Sequence, residues 1–365
     1  MTTPDAPILS RLVGRVEPRA GIARSVRDGR LAHAYLILGT RGSGRTRFAL
    51  GVAQLLLCKT ESDAACGVCS GCRRVERGIH PDLTIVHPST REELEDPSRT
   101  SRLFSDYAES AFDPLALSPQ ATLGIDQVRG LQAELAKARL EAPRRVALVL
   151  CADRMTEPAA QAALKLIEEP PPETTLLLTA PVTASLLPTL VSRCQRIDLR
   201  ALTIDEITPL LISGGVEPAE ATLLAGLSHG SVGRAFELRG LGILALRERA
   251  LRLFDATTSG PREAEARVRA AADGWGADEM LLAIELALSW QRDLALLGSG
   301  LGPESCLHRD LAARVRTAPA PRELRRRLAL LEELGRALHE RVNPELALYA
   351  AVVRLGSGAS AGDAA

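Results

Sequence analysis

Gly39-Thr40-Arg41-Gly42-Ser43-Gly44-Arg45-Thr46 departs at one position from the phosphate-cradling loop G-x-x-x-x-G-K-[ST]: Arg45 stands where the motif has Lys. The apolar run Ala34-Tyr35-Leu36-Ile37-Leu38 leads into it, and a helical pattern from Phe48 to Cys58 leads out. This is the strand–loop–helix setting the motif requires. Its glycines let the backbone turn so that successive N–H groups face an anion at a helix N-terminus. Gly39, Gly42, Gly44, Arg45 and Thr46 are therefore candidate nucleotide contacts. Whether ATP, ADP or nothing sits there is left open by the sequence.

Just beyond the loop's helix come Cys58, Cys66, Cys69 and Cys72, the last three spaced as two C-x-x-C steps sharing Cys69. Four thiolates suit the tetrahedral preference of Zn²⁺ and leave no open position, which predicts a structural zinc module over 58–72. A redox pair would need only two of them. His80, in His80-Pro81-Asp82-Leu83, reads as a turn residue rather than a ligand, and His33 as structural at a strand start.

Further along, Arg144 to Leu150 is a charged entry to an apolar strand that ends near Asp153. In P-loop ATPases this strand delivers the Asp that holds Mg²⁺, often followed by a water-polarising Glu. Here Arg154 follows, and a guanidinium is no base at neutral pH. Apolar strands also read at 83–87, 174–179 and 195–199, alternating with helices such as Glu157 to Glu168. Asp126 reads as the N-cap of a helix running through Leu140. Five such strands predict a parallel α/β sheet covered on both faces. Residues 88–122, rich in Ser, Asp, Glu, Arg and Pro, read as a mobile surface insertion. From Leu202 the pattern is helical only; Trp290 reads as a core residue of a bundle, with Arg292 and Asp293 at its surface.

The 365 residues predict two or three domains. Net charge is zero, so no global basic field argues for nucleic-acid binding. No apolar run reaches the roughly 18 residues that a membrane span needs, and Met1 to Glu17 lacks a signal-peptide core. A cytoplasmic protein is expected.

Taken in order, the degenerate loop, the four-Cys module, His80-Pro81-Asp82-Leu83, Ala162-Ala163-Leu164-Lys165-Leu166-Ile167-Glu168-Glu169-Pro170-Pro171 and Ser192-Arg193-Cys194 resemble the bacterial DNA polymerase III clamp-loader subunits of the AAA+ class. The resemblance covers residues 10–240 by motif and the remainder only in helical character. It is nearest to the delta-prime branch, in which the nucleotide site decays, because Arg45 and Asp153-Arg154 depart from the motor pattern together. It implies an AAA+ domain at 1–202, a helical lid at 203–240, a helical collar at 241–355 and a disordered tail at 356–365. It also implies that Arg193 is an arginine finger acting on a neighbour's ATP, that Thr179 or Ala180 stands at the first sensor position, and that Arg234 lies near the second. Implied partners are gamma/tau and delta subunits in a hetero-pentamer, the sliding clamp, and primed DNA reached through the complex. The chain would then belong to a DNA-directed DNA polymerase (nucleotidyltransferase) holoenzyme without hydrolysing ATP itself. Two other readings stay in view: an active gamma/tau-type ATPase motor, and a zinc-held interaction module outside replication.

Overall fold

The computed structural model describes residues 6–60, 64–96, 98–109, 115–254, 261–272, 274–340 and 343–356. Two compact units form: Met1–Ile207 with His229–Phe236, and Thr208–Ser228 with Glu237–Ala365.

The first unit is built on five parallel strands: β1 (Ala34–Leu38), β2 (Leu83–Val86), β3 (Arg145–Val149), β4 (Thr174–Ala180) and β5 (Gln195–Asp198). They lie in the order β2-β3-β4-β1-β5. The strands are apolar on both sides because both faces of the sheet are covered. Tyr35, Ile37, Val146, Leu148 and Leu177 pack on one face with Phe48, Val52 and Leu55 of the helix Arg45–Leu56. Leu36, Leu38, Ala147, Val149, Leu176 and Leu178 pack on the other, against Val128, Leu131, Ala163, Leu166 and Ile167. The alternation follows the two-residue period of a strand.

Register places the functional stretches. Leu38 pairs with Ala180 on one side and Asp198 on the other, and Val149 pairs with Leu178. Residues following β1 and β3, and Thr179 within β4, therefore gather at the carboxyl edge of the sheet, where α/β folds bind ligands. Gln195 pairs with Tyr35, so Ser192-Arg193-Cys194 enters β5 from the amino edge.

Three local readings are corrected. Residues 88–122 are not merely a surface insertion: they contain the helices Arg91–Leu94 and Arg99–Glu109, and Leu103, Phe104 and Tyr107 are buried in the core of the sheet's first face. Residues 97 and 110–114 lie outside the described residues. The helix after this segment runs Ile125–Ala136, and Gly124, not Asp126, is its cap; the Gln127 side-chain oxygen accepts the Gly124 N–H at 3.0 Å. Asp126 sits in the first turn, where its charge suits the helix dipole.

The second unit is helical. The helix Ala277–Gly298 packs on Ile243–Phe254 and Pro321–His339, and Pro344–Gly356 packs on Pro321–His339 and Pro261–Ala272. Trp290 is buried with Leu294, Cys306, Ala312 and Leu324. Asp293 is the third correction, because it is wholly buried rather than at the surface. Its carboxylate accepts the backbone N–H of Leu307 at 3.1 Å and of His308 at 2.7 Å, satisfying a loop that would otherwise bury bare donors. Residues 357–365, expected as a tail, lie outside the described residues. Among the described residues no helix is long and apolar enough to cross a membrane.

Candidate functional site

The loop after β1 is held by its carbonyls. The Gly39 N–H donates to Ala180 O at 3.3 Å, and Ser43 N–H closes a turn on Thr40 O at 3.1 Å. The Ser231 hydroxyl donates to Arg41 O at 2.8 Å, the Gly233 N–H to Gly42 O at 3.2 Å, and the buried Arg15 guanidinium to Ser43 O at 2.7 Å. A second arm of Arg15 reaches Arg200 O. With three carbonyls tied outward, the loop's shape is set from behind. Gly42 is required: at φ +74°, a Cβ there would lie 2.3 Å from Ser231 Oγ and 3.1 Å from Arg234 N. Gly44 caps the helix in a left-handed conformation, and that helix leaves its first-turn N–H groups without intrahelical partners. Arg45 and Thr46 stand in this turn, both partly buried.

Opposite the loop, Asp153 lies in the short turn Ala152–Arg154 after β3. The Cys151 N–H there donates to Thr179 Oγ1 at 3.0 Å, so the buried Thr179 hydroxyl clamps the end of β3 to β4. Burial pushes the Arg45 guanidinium below its ordinary value, while Cys151 and Asp153 pull it back up. Among the described residues, Ser43 Oγ, Arg45 Nη1 and Asp153 Oδ1 are buried at this corner without a hydrogen-bond partner. Buried polar groups are almost always satisfied, so the donor set suits an anionic ligand beside a cation. Arg154 is turned elsewhere, its Nη1 donating to Ser118 O at 2.9 Å. Arg234 follows the Ser231 turn, its N–H donating to Ser231 Oγ at 3.1 Å.

The structure thus brings together Gly39, Gly42, Gly44, Arg45, Thr46, Asp153, Thr179 and the backbone of Arg234. Arg193 is apart, at the amino edge of the sheet. Its Nε pairs with Glu168 Oε1 at 2.6 Å.

The cysteines form a second centre. The sulfurs of Cys58, Cys66, Cys69 and Cys72 all lie within 4.8 Å of one another. Cys58 follows the loop's helix, Cys69 caps the helix Ser70–Glu76, and Cys72 sits in its first turn. Backbone N–H groups point at the sulfurs: Cys66 to Cys58, Cys69 to Cys66 and Cys72 to Cys69, each at 3.4 Å. Amide donors favour the thiolate, and those of Cys69 and Val68 pull Cys66 down to about 6. Burial pushes the Cys72 thiol up, and the neighbouring Cys58 and Cys69 add to the rise. Gly71 is forced by packing, since a Cβ there would lie 2.9 Å from Leu57 O. The four donors fit a tetrahedral soft-metal site.

His80 is buried beside this cluster but is not one of the four; its Nδ1 accepts the Asp82 N–H at 3.1 Å. The Asp82 carboxylate in turn accepts the N–H groups of Leu140, Glu141 and Ala142, each at 2.8 Å. Arg74 and Lys59 both pair with Glu141, so the cysteine turn is fastened to the 140–142 loop. His33 is exposed, and only its carbonyl is used, accepting Leu176 N–H at 2.8 Å.

Sequence reasoning missed Arg15, Ser231, Asp82 and Glu168. For Ser231 the small-residue turn Gly230-Ser231-Val232-Gly233 was a usable signal; for Arg15 there was none, because its partners are carbonyls.

A family model described as DNA polymerase III, delta subunit, matches residues 18–203. The chain is 32% identical over 214 residues to the DNA polymerase III subunit delta' of Bacillus subtilis (strain 168), covering 59% of this chain and 56% of that protein. It is 34% identical over 218 residues to subunit delta' of Pseudomonas aeruginosa, covering 58% and 57%. Against the DNA polymerase III subunit tau of Salmonella typhimurium it is 29% identical over 360 residues, covering 94% of this chain and 50% of that one. The chain therefore spans about half the length of these relatives. The chain belongs to the DNA polymerase III delta-subunit family, that of the bacterial delta-prime clamp-loader subunits.

Proposed function

We propose that the chain is a non-hydrolysing, stator-type subunit of a replicative clamp loader of the AAA+ class. It would sit in a hetero-pentamer with gamma/tau- and delta-type subunits, lend Arg193 to a neighbour's ATP, and help place a sliding clamp on primed DNA.

One observation carries this reading: the two arginines occupy opposite edges of one sheet. At the carboxyl edge, Arg154 stands where a water-polarising carboxylate would be needed and is committed to Ser118 O. At the amino edge, Arg193 is separated from its own loop by the length of β5, about 10 Å at ~3.3 Å per step. Arg193 is thus badly placed for its own nucleotide, which supports a role toward another chain's. A guanidinium set on a γ-phosphate neutralises charge growing in the transition state, worth about 10³–10⁵ in rate.

The loop's own residues fit a bound phosphate without a reaction. Ser43 Oγ and Arg45 Nη1 supply donors, Thr46 and Asp153 supply oxygens for a divalent ion, and no base stands at the position after Asp153. A bound nucleotide would contribute only its phosphate charge, as a brace for the loop. The second centre we assign to a structural zinc ion held by Cys58, Cys66, Cys69 and Cys72, joining the loop's helix to the next.

A second reading, the gamma/tau-type motor, is favoured by the similarity of 94% of this chain to half of a tau subunit and by the orphaned atoms around Arg45. The two separate on one assay. The purified chain should show no ATP turnover that Thr46→Ala removes; turnover lost in Thr46→Ala would install the motor reading instead. Family membership weighs against a zinc-held module outside replication.

A further inference from the structure

The Arg193 guanidinium is held at two points. Its Nε lies 2.6 Å from Glu168 Oε1, and its Nη1 donates to Thr189 O at 3.0 Å. Glu168 is the last residue of the helix Glu157–Glu168, and Arg193 the last of Pro188–Arg193. Leu166 and Ile167 of the first helix share a core with Leu190 and Cys194 of the second. The two helix ends are therefore fixed by packing, while the side chains remain 40% and 46% exposed.

An ion pair this exposed adds little to stability, too little to account for its geometry as a fold-stabilising device. Its consequence is directional. A guanidinium is a planar fork with five N–H donors. Glu168 takes the Nε edge and Thr189 one Nη1 hydrogen. Among the described residues nothing accepts from Nη2. Glu169 is the natural comparison: it is the helix C-cap at φ −124°, off the helical path, and carries the same charge one residue on.

We propose that Glu168 is a positioning residue for Arg193, one that with Thr189 holds the guanidinium by Nε and Nη1 and leaves Nη2 for the phosphate of a neighbouring subunit. This rests on the arginine-finger reading above. Without Glu168 the flexible stem samples other rotamers, and the finger must be ordered at each encounter. An ion pair made beforehand removes part of that cost.

The test is DNA-stimulated ATP turnover of the reconstituted full assembly, with kcat and KM resolved. Glu168→Ala should lower kcat about tenfold at unchanged KM, since misplacement of a catalytic group acts on the transition state. Glu168→Gln, which keeps an oxygen for Nε, should recover most of that loss, and Glu169→Ala should match the unmodified chain. The double variant Glu168→Ala with Arg193→Ala should be no slower than Arg193→Ala alone. Unchanged or faster turnover in Glu168→Ala, with Arg193→Ala impaired, would overturn the positioning role and leave the finger standing. Additive losses would overturn it too. Full turnover in Arg193→Ala would overturn the finger reading itself.

Discussion

Asp82 shows how much one carboxylate can organise. It is nearly fully buried, and three amides converge on it from Leu140, Glu141 and Ala142. Burial alone would raise its carboxyl, but the amide bonds win and hold it below the usual carboxylate range. A folded value below the unfolded one means its stabilisation is present above the unfolded value and lost as pH falls through the folded one. Asp82→Asn should therefore cost about 1.5–3 kcal/mol at neutral pH, and the penalty should shrink below about pH 4. Urea unfolding at the two pH values checks both parts. At this scale the sequence was legible where chemistry is carried by residue type, as for the four cysteines. It was misleading at Asp293, where charge suggested the surface. The partners that bury it, Leu307 and His308, come from a loop 14 and 15 residues on, and no local pattern announces them.

The helix Arg99–Glu109 joins the core of the sheet's first face through Leu103, Phe104 and Tyr107. Arg47, one residue beyond Thr46, lies over the Tyr107 ring at 4.4 Å and donates to Tyr107 O at 2.9 Å. The spacing of the three apolar residues on one helical face is visible in hindsight, but the surrounding Ser, Asp, Glu and Arg outweigh them in composition. Phe104→Ala should destabilise the protein by about 3–5 kcal/mol in denaturant unfolding, whereas a solvated segment would shift it by less than about 0.5 kcal/mol. The cysteine turn is the element read best, because ligand spacing is local. One zinc per chain is expected in reduced, purified protein. Chelation or Cys69→Ser should remove it and lower Tm, and mild acid should do the same, because the ligands must be thiolates. Metal analysis that finds no zinc, with Tm indifferent to chelator, would discard that assignment.

Strand content was legible across the whole molecule, because each buried strand is a short apolar run between helical patterns. Strand order was not: β1 lies between β4 and β5, and pairings over such separations leave no mark in either run. Nor was the membership of His229–Phe236 in the first unit. That stretch is held by Ser231 and Gly233 on the carbonyls of Arg41 and Gly42, which makes the back of the Gly39–Thr46 loop a docking point for chain far along the sequence. The parallel pairing of β1 with β5 puts Arg193, before β5, and the loop, after β1, at opposite edges, and the proposed function rests on that separation. Its most direct test is the DNA-stimulated ATP turnover of a reconstituted clamp loader in which this chain alone carries Arg193→Ala. Turnover at the neighbouring site should fall by about 10³ or more, with assembly intact. Turnover unchanged in that assembly would contradict the claim.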